Sequence, residues 1–281
     1  MPTYNSAEHL DRCLDSLQQQ TFIDFELWCI DKGSSDGTLQ ILKRRAAAWP
    51  KLHVLRGGTE RTSQFNIGVR ASRSKYIYYT GSDFFVDRRL LEEAVTVAQR
   101  EGADAIWTRS ISSGSGFWAR VHNFERQFYF GTEKFEGARF FTRALYERAG
   151  GYDDAIPILE EYDLQDRMKR AGARFARVEN ASEYHLDEPT SAREILRRAF
   201  YYGTKYRSLV ERRGTKALRH LNPVRAVFFK DPFRYVRKPD LAFGFLLFWL
   251  MKYLGAAAGV IASYLPPMNR RDWSSRSRRV P

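Results

Sequence analysis

Short apolar runs alternate along this chain with longer stretches in which apolar residues recur at helical spacing. Helical spacing predicts a helix to about Gln20, opened by a capping box of Asn5 and Glu8, and two more over Thr38–Ala48 and Arg88–Arg100. Apolar runs predict strands that end at Asp31 or cover Leu52–Leu55, Lys75–Thr80 and Ala105–Arg109. Strands that alternate with helices predict an α/β fold, a mainly parallel sheet with helices on both faces.

The beginning of the chain departs from this alternation. Residues 1–5 read Met-Pro-Thr-Tyr-Asn, a turn of the kind that leaves a buried strand, yet no apolar run precedes it. Losing a central strand would expose apolar area worth several kcal/mol at roughly 25 cal/mol per Å². Either the chain is trimmed, or its start is assigned too late, or the sheet lacks its first strand; of these we favour a truncated start, with the first strand missing.

The character of the sequence changes after Pro189. We expect a folded domain over residues 1–189, a basic helical segment over 190–240, a hydrophobic segment over 241–265 and a basic tail over 266–281. The 241–265 segment is long enough to cross a bilayer, which takes about 20 apolar residues. Because basic residues flank it on both sides, we expect a helix in the membrane interface, or a hairpin broken at Gly255, rather than a simple span. A buried helix pair remains the alternative.

Charge divides the chain in the same place. Among its 281 residues the net charge is +13, but residues up to 189 carry 26 Lys+Arg against 28 Asp+Glu, while the rest carry 20 against 5. An excess of +15 at one end predicts an anionic partner, either a membrane surface or nucleic acid. The adjoining apolar segment favours the membrane and argues against a nucleic-acid binder. Two cysteines, Cys13 and Cys29, lie on apolar faces and indicate reduced thiols in an intracellular protein, with the folded domain cytoplasmic.

Four polar stretches stand where apolar runs end, which is where an open α/β sheet forms its binding crevice. They are residues 2–5 (Pro-Thr-Tyr-Asn), 31–38 (Asp-Lys-Gly-Ser-Ser-Asp-Gly-Thr), 81–83 (Gly-Ser-Asp) and 160–164 (Glu-Glu-Tyr-Asp-Leu). In the second, Gly33 and Gly37 permit a tight turn into a helix, and Asp31 is placed to accept from a base imide or a ribose hydroxyl. An ordinary capped turn would account for that stretch taken alone. The four in this order indicate a transferase that uses a nucleotide sugar.

The fourth stretch suggests a general base. Glu160 and Glu161 precede helical apolar spacing, so they lie at a helix N-terminus, where the helix dipole stabilises negative charge. An ionised carboxylate there can take a proton from an acceptor hydroxyl. Two glutamates that merely favour a helix start are the structural alternative.

Taken together, these motifs resemble family 2 glycosyltransferases of the GT-A fold. The resemblance runs from residue 2 to about residue 188 and includes the Asn66-x-Gly68 segment and Gly150-Gly151-Tyr152-Asp153. It implies that Thr3, Tyr4 and Asp31 contact the nucleotide, and we group Ser82 with them. Many members carry a second acidic residue where Lys32 stands here, so base recognition is expected to differ.

The resemblance also implies a divalent cation, Mn²⁺ or Mg²⁺, on the donor diphosphate. Family members usually show Asp-x-Asp in the third stretch, but this chain retains Asp83 and has Phe84 where another acid often follows. His185 stands where the family places a downstream metal ligand, and an imidazole suits Mn²⁺ better than Mg²⁺. We therefore predict a metal site at Asp83 and His185.

By the same resemblance Glu161 occupies the position of the catalytic Asp, with Glu160 in reserve. The expected reaction is inverting transfer of a sugar to a hydroxyl acceptor, and the basic tail and apolar segment suggest a lipid-linked or envelope-glycan acceptor. A degenerate, non-catalytic relative that binds a membrane or a partner is the alternative, motivated by the thinned metal motif.

Overall fold

The computed structural model describes residues 1–133, 135–214 and 225–265. These residues form two compact units, one made of Met1–Ser113 and Tyr129–Asp187 and the other of Gly114–Phe128 and the described residues from Glu188 onward. Residues 215–224 of the predicted basic segment and the whole predicted tail, 266–281, lie outside the described residues. The predicted domain boundary at residue 189 stays a prediction.

A parallel three-stranded sheet opens the first unit. Its strands lie in the order β1 (Pro2–Thr3), β2 (Leu27–Asp31) and β3 (Leu52–Arg56), and their register places Thr3 beside Asp31 and Asp31 beside Arg56. The expectation of a missing first strand is thereby corrected, because Pro2 and Thr3 form a strand of two residues. A strand this short contains no apolar alternation, which is why the sequence pattern did not reveal it.

The second sheet of this unit is mixed. Its order is β4-β7-β6-β8-β5, and only the β6–β8 pair is parallel among its described pairs. The expected parallel pairing therefore holds in the first sheet but not through most of the second. The five strands are β4 (Tyr76–Tyr78), β5 (Phe84–Val86), β6 (Ala105–Ser112), β7 (Ala138–Thr142) and β8 (Phe175–His185).

Helices of the first unit pack their apolar residues on these sheets. One apolar cluster includes Leu10, Leu14 and Ile106, and a second includes Phe141 and Met168; all five are fully buried. The helices are α1 (Ala7–Gln18), α2 (Thr38–Ala48), α3 (Arg61–Ala71), α4 (Leu90–Glu101), α6 (Arg143–Arg148) and α7 (Glu160–Arg170).

The start of α1 differs from the predicted capping box. Ser6, not Asn5, precedes the helix, and it makes no side-chain cap. Instead the backbone N–H of Ala7 donates to Asp36 Oδ2 at 3.1 Å. The first turn of α1 is thus capped by a residue 29 positions away, which leaves the Asn5 side chain available for another contact.

The second unit is helical. It consists of α5 (Phe117–Arg126), α8 (Ala192–Arg213), a 3-10 turn (Ala226–Phe229), α9 (Phe233–Arg237) and α10 (Pro239–Tyr264). Because α10 runs unbroken through Gly255, the predicted hairpin at that glycine is wrong. Gly255 and Gly259 are buried against α8, where glycine lets the two backbones approach closely.

Among the described residues, α10 is the one helix long and apolar enough to cross a membrane by length and composition. Such a helix is weak evidence of a span, since core helices of soluble proteins share these properties. In α10 only 28% of the most apolar window is buried, so most of that window faces outward.

The glycine contact between α8 and α10 yields a stability prediction. A Cβ added at Gly259 would collide with the carbonyl oxygen of Phe200 and approach the backbone of Thr204 to 2.9 Å. Gly259→Ala should therefore lower the free energy of unfolding by about 1–3 kcal/mol, despite the better helix propensity of alanine. Chemical denaturation measures the change. Gly116→Ala is the control, since an added Cβ there meets nothing within 4 Å; equal stability of the two variants would contradict the predicted contact.

Candidate functional site

The first and second polar stretches are tied together by hydrogen bonds. Asn5 adopts the left-handed conformation (φ 48°), and its backbone N–H donates to Ser34 Oγ at 2.9 Å. In return the N–H of Ser35 donates to Asn5 Oδ1 at 2.9 Å, and the N–H of Ser6 donates to Thr38 Oγ1 at 2.7 Å. The two turns therefore form one rigid loop pair at the carboxyl ends of β1 and β2.

Asp31 lies at the centre of this loop pair. Its carboxylate is fully buried and accepts from the backbone N–H groups of Gly33 and Ser34, both at 2.8 Å. It also accepts from the hydroxyls of Ser34 at 2.5 Å and Thr3 at 3.0 Å. With four donors from its own chain, Asp31 shapes the crevice in this structure, and its predicted contact with the nucleotide stays a prediction.

Gln64 is a buried residue of α3 that the sequence analysis missed. Its Nε2 donates to the carbonyl oxygens of Thr3 at 2.9 Å and Ile30 at 2.6 Å, which joins α3 to the ends of β1 and β2. Gly58 lies directly against it, and an added Cβ there would come within 2.5 Å of Gln64 Cγ. The sequence carries no local signal for this contact, because both acceptor carbonyls lie more than 30 residues away.

Tyr4 and Lys32, one from each turn of this loop pair, lie side by side. The Lys32 Nζ is 4.8 Å from the centroid of the Tyr4 ring, a cation–π contact, and both side chains are half-buried. A cation thus occupies the position where the resemblance led us to expect a second acid. This arrangement offers a donor rather than an acceptor beside the predicted nucleotide residue Tyr4.

Residues of the third stretch contact both the loop pair and His185. Ser82 Oγ donates to Ser6 Oγ at 2.7 Å, and Asp83 Oδ2 lies 3.4 Å from His185 Nε2. Antiparallel pairing of β5 with β8 sets Phe84 opposite His185, which brings the two predicted metal ligands together. Burial alone raises the pKa of Asp83, but the hydrogen bond and charge of His185 outweigh it and hold that pKa well below its usual range.

Asp83 and His185 suit a metal shared with a bound diphosphate better than an all-protein site. Within the described ranges, no group of three or more His, Cys, Asp or Glu residues could hold a metal ion. A carboxylate and an imidazole at this separation would leave the remaining coordination positions of a bound cation to phosphate oxygens and water. The residues present therefore fit a cation that arrives with the donor.

The fourth stretch begins α7 as expected. Leu159 precedes the helix with φ 56°, a left-handed conformation that is unfavourable for a leucine and fixes where the next residues point. Glu160 is buried and pairs with Arg61 at 2.6 Å. Burial raises the pKa of Glu160, the Arg61 guanidinium opposes that rise, and the charge of Glu161 adds to it. Arg61, at the start of α3, was not singled out from the sequence.

Glu161 is held next to a buried arginine. Its Oε1 lies 3.5 Å from Arg139 on β7, and its side chain keeps 21% of its surface exposed. Arg139 also pairs with the fully buried Glu183 at 3.1 Å. Burial lowers the pKa of Arg139, but the neighbouring groups, with Glu183 and Glu161 foremost, together raise that pKa above its usual range. A Cβ added at Gly137 would lie 3.0 Å from Glu161 Cβ, so a larger residue there would displace the glutamate.

Arg139 connects the third and fourth stretches. Its guanidinium lies 4.4 Å from the centroid of Phe84, the residue after Asp83, and 3.5 Å from Glu161. The Ser82–Ser6 hydrogen bond connects the third stretch in turn to the loop pair built on Asp31. The structure thus brings all four stretches into one connected region of the first unit.

The fold of this region is that of the GT-A glycosyltransferases. A mannosyltransferase, PcManGT from Pyrobaculum calidifontis solved with GDP-Man and Mn²⁺, superposes with a TM-score of 0.59 at 20% identity, over 94% of this chain and 75% of that one. TarS of S. aureus superposes with a TM-score of 0.54 at 16% identity, over 94% of this chain and 53% of that one. Identities this low establish the fold alone.

The chain belongs to glycosyl transferase family 2, whose family model matches residues 1–151. It is 26% identical over 182 residues to chondroitin synthase of Escherichia coli, over 61% of this chain and 26% of the synthase. It is 27% identical over 172 residues to a PGL/p-HBAD biosynthesis glycosyltransferase of Mycobacterium bovis, over 59% of this chain and 67% of that protein. The chain thus spans about a quarter of the length of the synthase.

The Arg61–Glu160 pair yields a prediction with a pH dependence. Arg61→Ala should lower the free energy of unfolding by about 1 kcal/mol at pH 7, because buried Glu160 loses a countercharge that water already screens in part. Without Arg61 the pKa of Glu160 rises further, so the folded state binds a proton more tightly than the unfolded chain. The stability deficit of the variant should therefore shrink as the pH falls toward 4.5, the ordinary pKa of a glutamate side chain.

Urea denaturation of wild type and variant from pH 7 to pH 4 measures this deficit. Arg73→Ala is the matched control, since Arg73 is an exposed arginine just beyond the same helix. A deficit that grows on acidification would contradict the assigned pairing.

Proposed function

We propose that this protein transfers a sugar from a nucleoside diphosphate sugar to a hydroxyl acceptor with inversion, using Glu161 as general base. The observation that carries the proposal is the position of Glu161, partly exposed at the start of α7, 3.5 Å from Arg139 and connected through it to the Asp83 stretch. A general base must be accessible to an acceptor that arrives from solvent and must also lie close to the bound donor. The position of Glu161 suits both requirements.

Glu161 suits the role of base better than Glu160. Glu160 is 3% exposed and committed to its pair with Arg61, whereas Glu161 is 21% exposed. Burial also raises the pKa of Glu160, which makes it a weaker candidate for an ionised base at neutral pH. We assign Glu160 and Arg61 to positioning the start of α7.

The proposed step conserves atoms and charge. Glu161 takes the proton of the acceptor hydroxyl while the acceptor oxygen attacks the anomeric carbon from the face opposite the diphosphate. The new C–O bond forms as the bond from the anomeric carbon to the diphosphate oxygen breaks, and the electron pair leaves with the nucleoside diphosphate. Inversion at that carbon follows from attack on the opposite face.

Donor binding is assigned to the loop pair and the third stretch. Thr3, Tyr4, Asp31 and Ser82 are the proposed nucleotide-binding residues, with Asp31 acting mainly through the loop that it shapes. Structures of TarS with UDP and of PcManGT with GDP-Man lend support, since both proteins share this fold. The two bound nucleotides differ in their nucleobase, so the nucleotide of this protein's donor is left open.

A divalent cation is assigned to Asp83 and His185. When bound, such a cation supplies charge that stabilises the departing diphosphate. The Mn²⁺ in PcManGT supports this choice by analogy of fold. Asp83 would provide the carboxylate ligand and His185 the imidazole, with their mutual contact exchanged for contacts to the ion.

The acceptor is proposed to be lipid-linked or an envelope glycan, used at a membrane by a catalytic unit in the cytoplasm. The basic excess after residue 189 and the apolar helix α10 support the membrane. Free, buried Cys13 and Cys29 agree with a reducing compartment.

Replacing the proposed base tests the mechanism. Glu161→Gln keeps the size of the side chain but removes its basicity, so transfer should fall by about a hundredfold or more. Release of nucleoside diphosphate from a panel of nucleotide sugars, with a lipid extract as acceptor, measures transfer, and calorimetry with UDP and GDP measures binding. Glu93→Gln is the control, a first-turn glutamate of α4. Undiminished transfer by E161Q would reject the role, and failure of wild type to bind either nucleotide would favour a non-catalytic relative.

Replacing the proposed metal ligand tests the cation assignment. Asp83→Asn should reduce by about tenfold or more the gain in nucleotide affinity that Mn²⁺ produces, because a charged ligand is lost from a two-residue site. Affinity without metal should change little. Calorimetry with and without Mn²⁺ separates these quantities, with Asp24→Asn as an exposed control. An unchanged Mn²⁺ effect in D83N would exclude Asp83 as a ligand.

A further inference from the structure

One side of α10 is apolar and exposed along its whole length. At 3.6 residues per turn the exposed residues fall within an arc of roughly 120°, and at 1.5 Å per residue they extend over about 30 Å. They are Phe243, Leu246, Leu247, Leu250, Leu254, Ala257, Ala258, Ile261, Tyr264 and Leu265. An exposed apolar strip of this size is typical of an interaction surface.

The opposite side of α10 is committed to the protein. Gly244 packs on Phe117 and Val121 of α5, and Gly255 packs on Ala199 of α8. Lys252 points to this inner side, where its Nζ lies 3.2 Å from the buried carboxylate of Glu125. The one charged side chain in the middle of α10 is therefore directed away from the exposed strip.

A second exposed apolar ridge lies just before α10. Phe229, Phe233 and Val236 are 70%, 70% and 77% exposed, and they recur at helical spacing. Their neighbours face inward: Phe228 and Tyr235 have ring centroids 5.0 and 6.2 Å from that of Phe245. The 3-10 turn and α9 are thus fixed on α10 by one side and expose large apolar groups on the other.

Basic side chains stand among these apolar groups. Lys230, Arg237 and Lys238 are exposed beside Phe229, Phe233 and Val236. The sequence from residue 190 onward carries 20 Lys+Arg against 5 Asp+Glu. A protein partner would not require this charge, whereas an anionic bilayer attracts basic residues and takes up adjacent apolar ones.

We infer that the outer strip of α10 and the ridge of Phe229, Phe233 and Val236 lie flat in the interface of an anionic bilayer, so that α10 does not cross it. In this arrangement Lys230, Arg237 and Lys238 meet the lipid headgroups while Lys252 stays paired with Glu125. The inference concerns the second unit alone and depends on no step of the proposed transfer reaction.

Vesicle binding by the full chain tests the surface. Wild type should bind vesicles of 70% phosphatidylcholine and 30% phosphatidylglycerol about tenfold or more tightly than pure phosphatidylcholine, and less tightly as salt rises. Phe233→Asp and Leu250→Asp should each weaken binding by about tenfold or more. Ile23→Asp, which alters an apolar residue 72% exposed in the first unit, should bind as wild type. Equal vesicle binding by all four proteins would overturn the inference. It would also be overturned if wild type did not bind vesicles but formed a dimer that the F233D and L250D variants do not form.

Labelling of a double-cysteine variant separates a flat helix from a crossing one. Cys13 and Cys29 are buried, so they contribute little background to a membrane-impermeant maleimide. In Asp240→Cys/Ser263→Cys reconstituted in vesicles, a flat helix gives molecules with two labels or none, whereas a crossing helix gives molecules with one. Intact-mass spectrometry counts the labels, and a dominant single-label species would overturn the inference. Nucleotide binding and transfer are measured separately, so a failure here leaves the proposed function standing.

Discussion

The burial of the Asp31 carboxylate is the constraint on which the loop pair at the ends of β1 and β2 depends. A buried ion without partners costs several kcal/mol, so its oxygens must be supplied with donors. The backbone of Gly33 and Ser34 and the hydroxyls of Thr3 and Ser34 supply them. Satisfying one carboxylate therefore dictates the shape of the second turn and, through Thr3, the place of the first. Gly33 (φ 100°) meets the backbone requirement of that turn without strain.

The same requirement recurs in the region of the fourth stretch and accounts for two arginines there. Glu160 and Glu183 are buried, and each is matched by a guanidinium, Arg61 in one case and Arg139 in the other. Arg139 has a second carboxylate within reach, and that one is Glu161. The proposed base is thus positioned by a cation that the fold already needs for Glu183. Arg139 therefore does two things: it neutralises the buried carboxylate of Glu183, and it positions Glu161.

Local patterns predicted the elements but not the contacts that join them. Helical spacing placed α2 at Thr38–Ala48 as observed, and the strand ending at Asp31 is observed as β2. A two-residue strand has no pattern, so β1 was missed, and the capping box at Asn5 was wrong because Asp36 caps α1 from another turn. Arg61, Arg139 and Gln64 were missed because their partners lie far away in sequence, 61 residues in the case of Gln64 and Thr3.

The packing of α10 bears directly on whether it can cross a membrane. Length and composition would allow a span, but a crossing helix must be surrounded by lipid or by apolar protein. Here α8 lies against Gly255 and Gly259, and that stretch of α8 carries Arg197, Arg198 and Lys205. Taking those charges to the bilayer centre would cost about 2.5–3.5 kcal/mol each on insertion scales, and separating α10 from α5 would open the Lys252–Glu125 pair. A flat position avoids both costs, because the exposed strip meets lipid while the charged side remains on protein.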